Sequence, residues 1–269
     1  MRRLLLALFV LVAVTADASA APFSYVTTSS GQFGTVDLST GAFSQIGIQA
    51  PAPFTGIATG ADGTIYGMDA ANRLVTIDPT TGATAVVGPS GVGFAVFGGL
   101  ASGGLYGLDI NNKLYSVSTT TGAATLVGAT GIPTLSGHGY ANSLAGNDTT
   151  LYYTEERGTP GPLASTLFAL DPSTGTATTI GLTGIHDIVG SVFDDGGLYG
   201  FTSPFLSSST MPSIWSLDTS TGAATFVHTL DSAAAPIFGG TPVPEPSSLL
   251  LLLSGFAFRR VRQSLVRAR

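Results

Sequence analysis

Short runs of alternating apolar and polar residues, separated by Gly, Pro, Asp, Ser and Thr, fill the chain from residue 22 to residue 242. In "RLVTIDPTTGATAVVG", Val75 and Ile77 fall on one face and Leu74 and Thr76 on the other, the two-residue period of a β-strand. Asp78 opens a turn, Pro79 sets φ at its second position, Gly82 supplies a left-handed residue at its end, and "ATAVVG" returns as the partner strand. The pattern therefore predicts a hairpin.

Four further stretches repeat it: "QFGTVDLSTGAFSQIG" from Gln32, "KLYSVSTTTGAATLVG" from Lys113, "TLFALDPSTGTATTIG" from Thr166 and "SIWSLDTSTGAATFVH" from Ser213. Their turn glycines, Gly41, Gly82, Gly122, Gly175 and Gly222, are spaced 41, 40, 53 and 47 residues apart, a period that points to a repeat architecture. The opening turn residue is Asp37, Asp78, Asp171 and Asp218, with Ser118 in the third copy. An aspartate there bonds the backbone just after it, so these four are read as structural rather than catalytic. Trp215 and Phe168 hold equivalent positions and are read as core rather than as sugar platforms.

Two more short strands precede each later hairpin: "FTGIAT" and "TIYGMD", "FGGLAS" and "GLYGLD", "ANSLAG" and "TLYYTE", "IVGSVF" and "GLYGFT". Four antiparallel strands per repeat of this length make a β-propeller blade, and Gly56, Gly98, Gly99 and Gly190 suit the crowded strand nearest the axis. The first unit has only "FSYVTTS" ahead of its hairpin, while "PIFGGTP" at Pro236 resembles an inner strand with no hairpin after it. The expectation is an all-β, five-bladed propeller over residues 22–242, its first blade closed by the C-terminal strand. An open β-solenoid, a β-sandwich, or a sixth blade near Pro133 or Ser207 to Ser209 compete with it.

Charge narrows the partners. From Ala21 to Thr241 three basic residues (Arg73, Lys113, Arg157) stand against fourteen acidic ones, a net −11 for the body. Such a surface excludes nucleic acid, which needs a basic face, and tolerates cations or neutral ligands such as sugars. The chain has no Cys, so core burial and hydrogen bonds must hold the fold.

Both ends depart from the alternating pattern. Arg2 and Arg3 precede an apolar run, Leu4 to Val14, and Ala18, Ala20 and Ala21 form a small-residue cleavage site, so residues 1–20 read as a secretory signal peptide for signal peptidase. That run, as a helix, covers about 16 Å, too little for a bilayer core. At the other end, Val243, Pro244, Glu245 and Pro246 precede Leu249 to Phe258 and then Arg259, Arg260 and Arg262. A helix of that length spans about 15 Å, and the arginines would hold its end at the cytoplasmic face.

Residues 243–269 resemble the PEP-CTERM sorting signal of Gram-negative bacteria with exopolysaccharide matrices. The resemblance implies an exosortase substrate: a Val-Pro-Glu-Pro box, an apolar sorting helix and an arginine cluster, with cutting near the box. It further implies export, a transient C-terminal membrane anchor, then residence at the cell surface or in the extracellular matrix. It says nothing about the propeller.

Candidate chemistry lies in the loops. Links between blades and turns between second and third strands are expected on one propeller face, which groups His138, His186, Asp187, His228 and Asp231 with Asp69, Asp109, Glu155 and Glu156. Asn111, Asn112 and Tyr140 join them. Paired carboxylates there could serve an extracellular glycoside hydrolase or lyase; the same face could instead hold exopolysaccharide or a divalent cation. Polar residues concentrate in loops regardless, and no His-Glu-x-x-His, Gly-x-Ser-x-Gly or phosphate-cradling loop is present. The reading is a non-enzymatic binding or structural module with no assigned cofactor, catalytic residue or metal ligand.

Overall fold

The computed structural model describes residues 23–47, 53–133, 142–157, 164–203, 211–234 and 236–244. The expected leader, with Ala18, Ala20 and Ala21, lies outside them, as do His138, Tyr140 and the tail from Glu245 through Pro246, Arg259, Arg260 and Arg262. Among the described residues, no helix is long and apolar enough to cross a membrane.

The described strands form five four-stranded antiparallel sheets. The first blade holds β1 (Phe23–Thr28), β2 (Phe33–Asp37) and β3 (Phe43–Gln45); the second β4 (Phe54–Thr59), β5 (Ile65–Asp69), β6 (Arg73–Ile77) and β7 (Thr84–Pro89). The third runs β8 (Phe94–Gly99), β9 (Leu105–Asp109), β10 (Lys113–Val117), β11 (Ala124–Ala129). The fourth runs β12 (Asn142–Gly146), β13 (Leu151–Arg157), β14 (Ala164–Leu170), β15 (Ala177–Leu182). The fifth runs β16 (Ile188–Asp194), β17 (Gly197–Thr202), β18 (Ser213–Leu217), β19 (Ala224–Thr229), and β20 (Ile237–Pro242) completes the chain's strands. β20 pairs with β1, giving the first blade the order β20-β1-β2-β3, so the C-terminal strand closes the ring as expected.

The inner strands β4, β8, β12, β16 and β20 pack side by side, and β20 returns to β4. A cycle of five closes on itself. That leaves no place for a sixth blade and rules out the solenoid and sandwich alternatives. One strand starts earlier than expected: the inner strand of the third blade begins at Phe94, not Phe97. Leu100 to Ser102 belong to the following turn, where Leu100 and Gly104 exchange a backbone bond of 2.9 Å.

Every sheet is covered on both faces, so the core is five wedges between neighbouring blades. Val75 and Ile77 pack with Phe33 and Phe54, towards the first blade. Leu74, one residue away, packs with Phe94, Phe97 and Val117, towards the third. This explains why strands such as "RLVTI" alternate between two apolar sets rather than between apolar and polar. Phe168 is buried and Trp215 packs against the wedge between the fourth and fifth blades, as expected for core positions.

The outer strands interlock around the rim. A one-residue bulge in β7, β11 and β15 brings Gly88, Gly128 and Gly181 opposite Leu74, Leu114 and Leu167. The turn of the following blade presses on each: a Cβ added to Gly88, Gly128 or Gly181 would collide with the carbonyl of Thr121, Thr174 or Thr221. Gly88, Gly128 and Gly181 thus meet the turn glycines Gly122, Gly175 and Gly222 of the following blades across the seams. At the closing seam the equivalent position is His228, opposite Ile214, and Gly41 packs against the Thr229 carbonyl.

Candidate functional site

The second-to-third turns of the second and third blades are described, and their carboxylates Asp69 and Asp109 hold them together, whereas Glu155 and Glu156, expected on the corresponding link of the fourth blade, lie within β13. Asp69 Oδ1 accepts from the Ala71 and Arg73 amides at 2.9 and 2.8 Å, and Oδ2 takes the Arg73 guanidinium at 2.8 Å. Asp109 repeats the arrangement with the Asn111 and Lys113 amides, both at 2.9 Å, and a 3.4 Å bond from the Tyr115 hydroxyl. Asn72 and Asn112 sit at φ 57° and 55°, a left-handed conformation asparagine tolerates. Asn111 is exposed, and its backbone is what Asp109 uses.

Glu155 and Glu156 look into different wedges. Asn112 Nδ2 donates to Glu155 at 3.1 Å, tying the third blade's turn to the fourth blade. Glu156 Oε2 accepts the Asp187 amide at 3.0 Å, tying the fourth blade to the fifth. Asp187 is fully buried at φ 61°, and its Oδ2 lies 2.9 Å from Nδ1 of the partly exposed His186. His228 is elsewhere. It is exposed on β19, beside the first blade's outer turn, because the twisted outer strand runs into the next blade's rim instead of ending with the other loops. Grouping it with His186 was therefore an expectation the fold does not meet.

Links between blades follow a rule the sequence reading missed. Ser90-Gly91-Val92, Thr130-Gly131-Ile132 and Thr183-Gly184-Ile185 each place a buried hydroxyl residue one position before a left-handed glycine. The hydroxyls donate to the Asn72, Asn112 and Ser165 carbonyls at 2.8, 2.7 and 2.9 Å. These links are staples, and the signal was visible in "PSGV", "ATGI" and "LTGI".

The axis itself presents different residues. On the face of these turns, a depression of about 210 Å³ is ringed by Thr55, Ala95, Asn142, Val189 and Phe238, one from each inner strand. β-bulges put four of them there: the register slips at Phe54/Ile57, Phe94/Val96, Ile188/Gly190 and Thr27/Thr28, leaving Thr55, Ala95, Val189 and Phe238 at the irregular positions. A bulge re-aims a side chain without ending the pairing. The ring offers apolar surface, one amide and one hydroxyl, and no charge; the carboxylates of the same face do not line it. The opposite mouth, about 160 Å³, is lined by small and apolar residues, with Thr59 and Thr241 hydroxyls 2.7 Å apart. Among the described residues, no three His, Asp or Glu side chains converge as a metal centre.

No protein-family model matches the chain, and no curated protein matches it. Among solved structures, one described as "the de novo evolutionary emergence of a symmetrical protein is shaped by folding constraints" matches 83% of this chain and 100% of its own at a TM-score of 0.53 and 16% identity. Two proteins of unknown function match less well in shape: one from Bacteroides caccae (TM-score 0.46, 13% identity, 84% of this chain and 100% of its own) and one from Bacteroides thetaiotaomicron (0.43, 16%, 76% and 49%). At these identities the likeness concerns the fold alone.

Proposed function

We propose that the chain is an exported, exosortase-sorted propeller that is processed at both ends and acts at the cell surface or in the matrix as a non-enzymatic binding module. The observation that carries this reading is the match between the ring's limits and the two processing signals. β1 begins at Phe23, just after the small-residue site at Ala20 and Ala21, and β20 ends at Pro242, just before the Val243 to Pro246 box. The Val243 amide donates to the Phe23 carbonyl at 2.9 Å, so both ends of a processed chain would meet in one blade. Removal of leader and tail would take away none of the described strands.

The ligand class follows from the uncharged axial mouth and the acidic body: a neutral polysaccharide, met by Phe238 as apolar platform and by Asn142 and Thr55 as hydrogen-bonding groups. Asp69 and Asp109 are occupied with their turns, which favours binding over carboxylate catalysis. The depression is smaller than the pockets of about 300–1,000 Å³ that enclose whole small molecules, so it suits an end or a single unit of a polymer. Affinity electrophoresis through gels cast with the host's neutral exopolysaccharide tests the assignment. Retardation of the wild type is expected, with its loss in Ala95→Trp, which fills the mouth. Equal retardation of Ala95→Trp would reject the mouth as the site.

A further inference from the structure

Buried oxygens without partners gather at one junction. Among the described residues, four such side-chain atoms occur, and three of them, Ser165 Oγ, Asp187 Oδ1 and Ser191 Oγ, belong to the fourth and fifth blades. Strand geometry aims the two serines into the space between those blades, and the bond from the Asp187 amide to Glu156 places Asp187 at the same junction. Ser165 is the cross-strand partner of Glu156, so their side chains share a face, and Glu156 reaches Asp187 across the junction. Leu167, two residues on, packs on Ile188 and Leu198 of the fifth blade, which fixes that face as the one towards it. Val192 packs with Val26 and Ile237 towards the first blade, so Ser191 beside it faces the fourth.

The layer above the apolar wedge therefore holds two carboxylates, Glu156 and Asp187, and the buried Ser165 hydroxyl, while Ser191, opposite Gly200, lies deeper, at the level of Ile188 and Leu217. Asp187 is 0% exposed, and Oδ1 has no donor among the described residues, although its Oδ2 faces His186. A buried carboxylate oxygen with nothing to accept from is costly, and paired carboxylates with hydroxyls are the hard oxygen donors that calcium takes. The left-handed conformation of Asp187 is a further local cost kept at this position.

We propose that the junction of the fourth and fifth blades is a calcium site, with Asp187 Oδ1, Glu156 and Ser165 Oγ as its side-chain donors. The ion clamps two blades and is separate from the axial mouth, so the assignment stands independently of the proposed function. It also differs from a three-carboxylate centre: two charges neutralise the ion, and the Ser165 hydroxyl supplies a neutral oxygen.

Isothermal titration of the EDTA-treated full chain with calcium chloride, paired with thermal unfolding, tests it. The expected result is one calcium per chain and a Tm that rises with calcium, with affinity falling at least tenfold in Asp187→Asn and severalfold in Ser165→Ala. Asp62→Asn, in an exposed turn, should bind as the wild type does. Should Asp187→Asn fail to fold, Glu156→Gln removes a donor from the other blade and should weaken binding likewise. No calcium heat and no Tm shift in the wild type would overturn the proposal. So would equal affinity in Glu156→Gln and Ser165→Ala, or a Tm shift reproduced by sodium at matched ionic strength.

Discussion

Gly122 and Gly131 both sit at φ 77°, yet their surroundings differ completely. A Cβ on Gly131 would meet nothing within 4 Å, whereas one on Gly122 would strike the backbone of Gly88 across the blade seam. Gly131→Ala should then cost only the left-handed strain, about 1–2 kcal/mol, and Gly122→Ala about 1–3 kcal/mol more for overpacking. Urea unfolding of the two variants checks this; equal losses would mean that the seam yields freely. At this scale the turn residues were legible because Asp, Pro and Gly each impose local geometry. The seam was not: "VVG" at Gly88 and "TTG" at Gly122 look like independent strand and turn signals, and only the twist of the outer strands brings them together. Nor were Thr55, Ala95, Val189 and Phe238, because a bulge is one surplus residue in a strand and leaves no residue type to read.

At the scale of the hairpin, the recurrent aspartate does the same work four times. Asp78 Oδ1 accepts the Thr80 hydroxyl at 2.6 Å and amide at 2.8 Å, while Gly82 donates to the Asp78 carbonyl at 2.8 Å. The hydroxyl and amide bonds hold Asp78, Asp171 and Asp218 below the usual carboxylate range, Asp218 to about 2 through Ser220 first of all. In Asp37 partial burial pushes upward and is outweighed by bonds from Ser39 and Thr40. A carboxylate whose pKa is lower folded than unfolded binds its proton first in the unfolded chain as pH falls. Its stabilisation is complete above the ordinary value of 3.8 and is lost towards about 2 for Asp218. Unfolding at stepped pH should show stability declining through that window, with a shallower decline in Asp218→Asn; an unchanged slope would contradict the hairpin account. Strand and blade boundaries were readable to within a few residues because the repeats align. The exception, the start of β8, arose because "FGGLAS" takes only its first three residues from the strand and the rest from the turn that follows.

For the whole molecule, closure links fold and function. Blade count and the supply of the first blade's inner strand by β20 followed from an incomplete first unit and an orphan strand at the far end. The axial mouth could not be foreseen, since the residues that build it are where the blades differ, not where they repeat. The proposed calcium layer was equally hidden: Ser165 is an ordinary strand residue until a neighbouring blade buries it. The closed ring also gives the processing proposal its physical sense, because Phe23 and Val243 meet in one sheet and the sequences to be removed lie beyond them. Intact mass with N- and C-terminal sequencing, on protein recovered separately from host membranes and culture fluid, tests that claim most directly. Fluid-phase protein starting near Ala21, ending near the Val243 to Pro246 box and unfolding at the same temperature as the full chain is the predicted result. Full-length protein confined to the membrane, or a trimmed chain that has lost its cooperative unfolding, would contradict it.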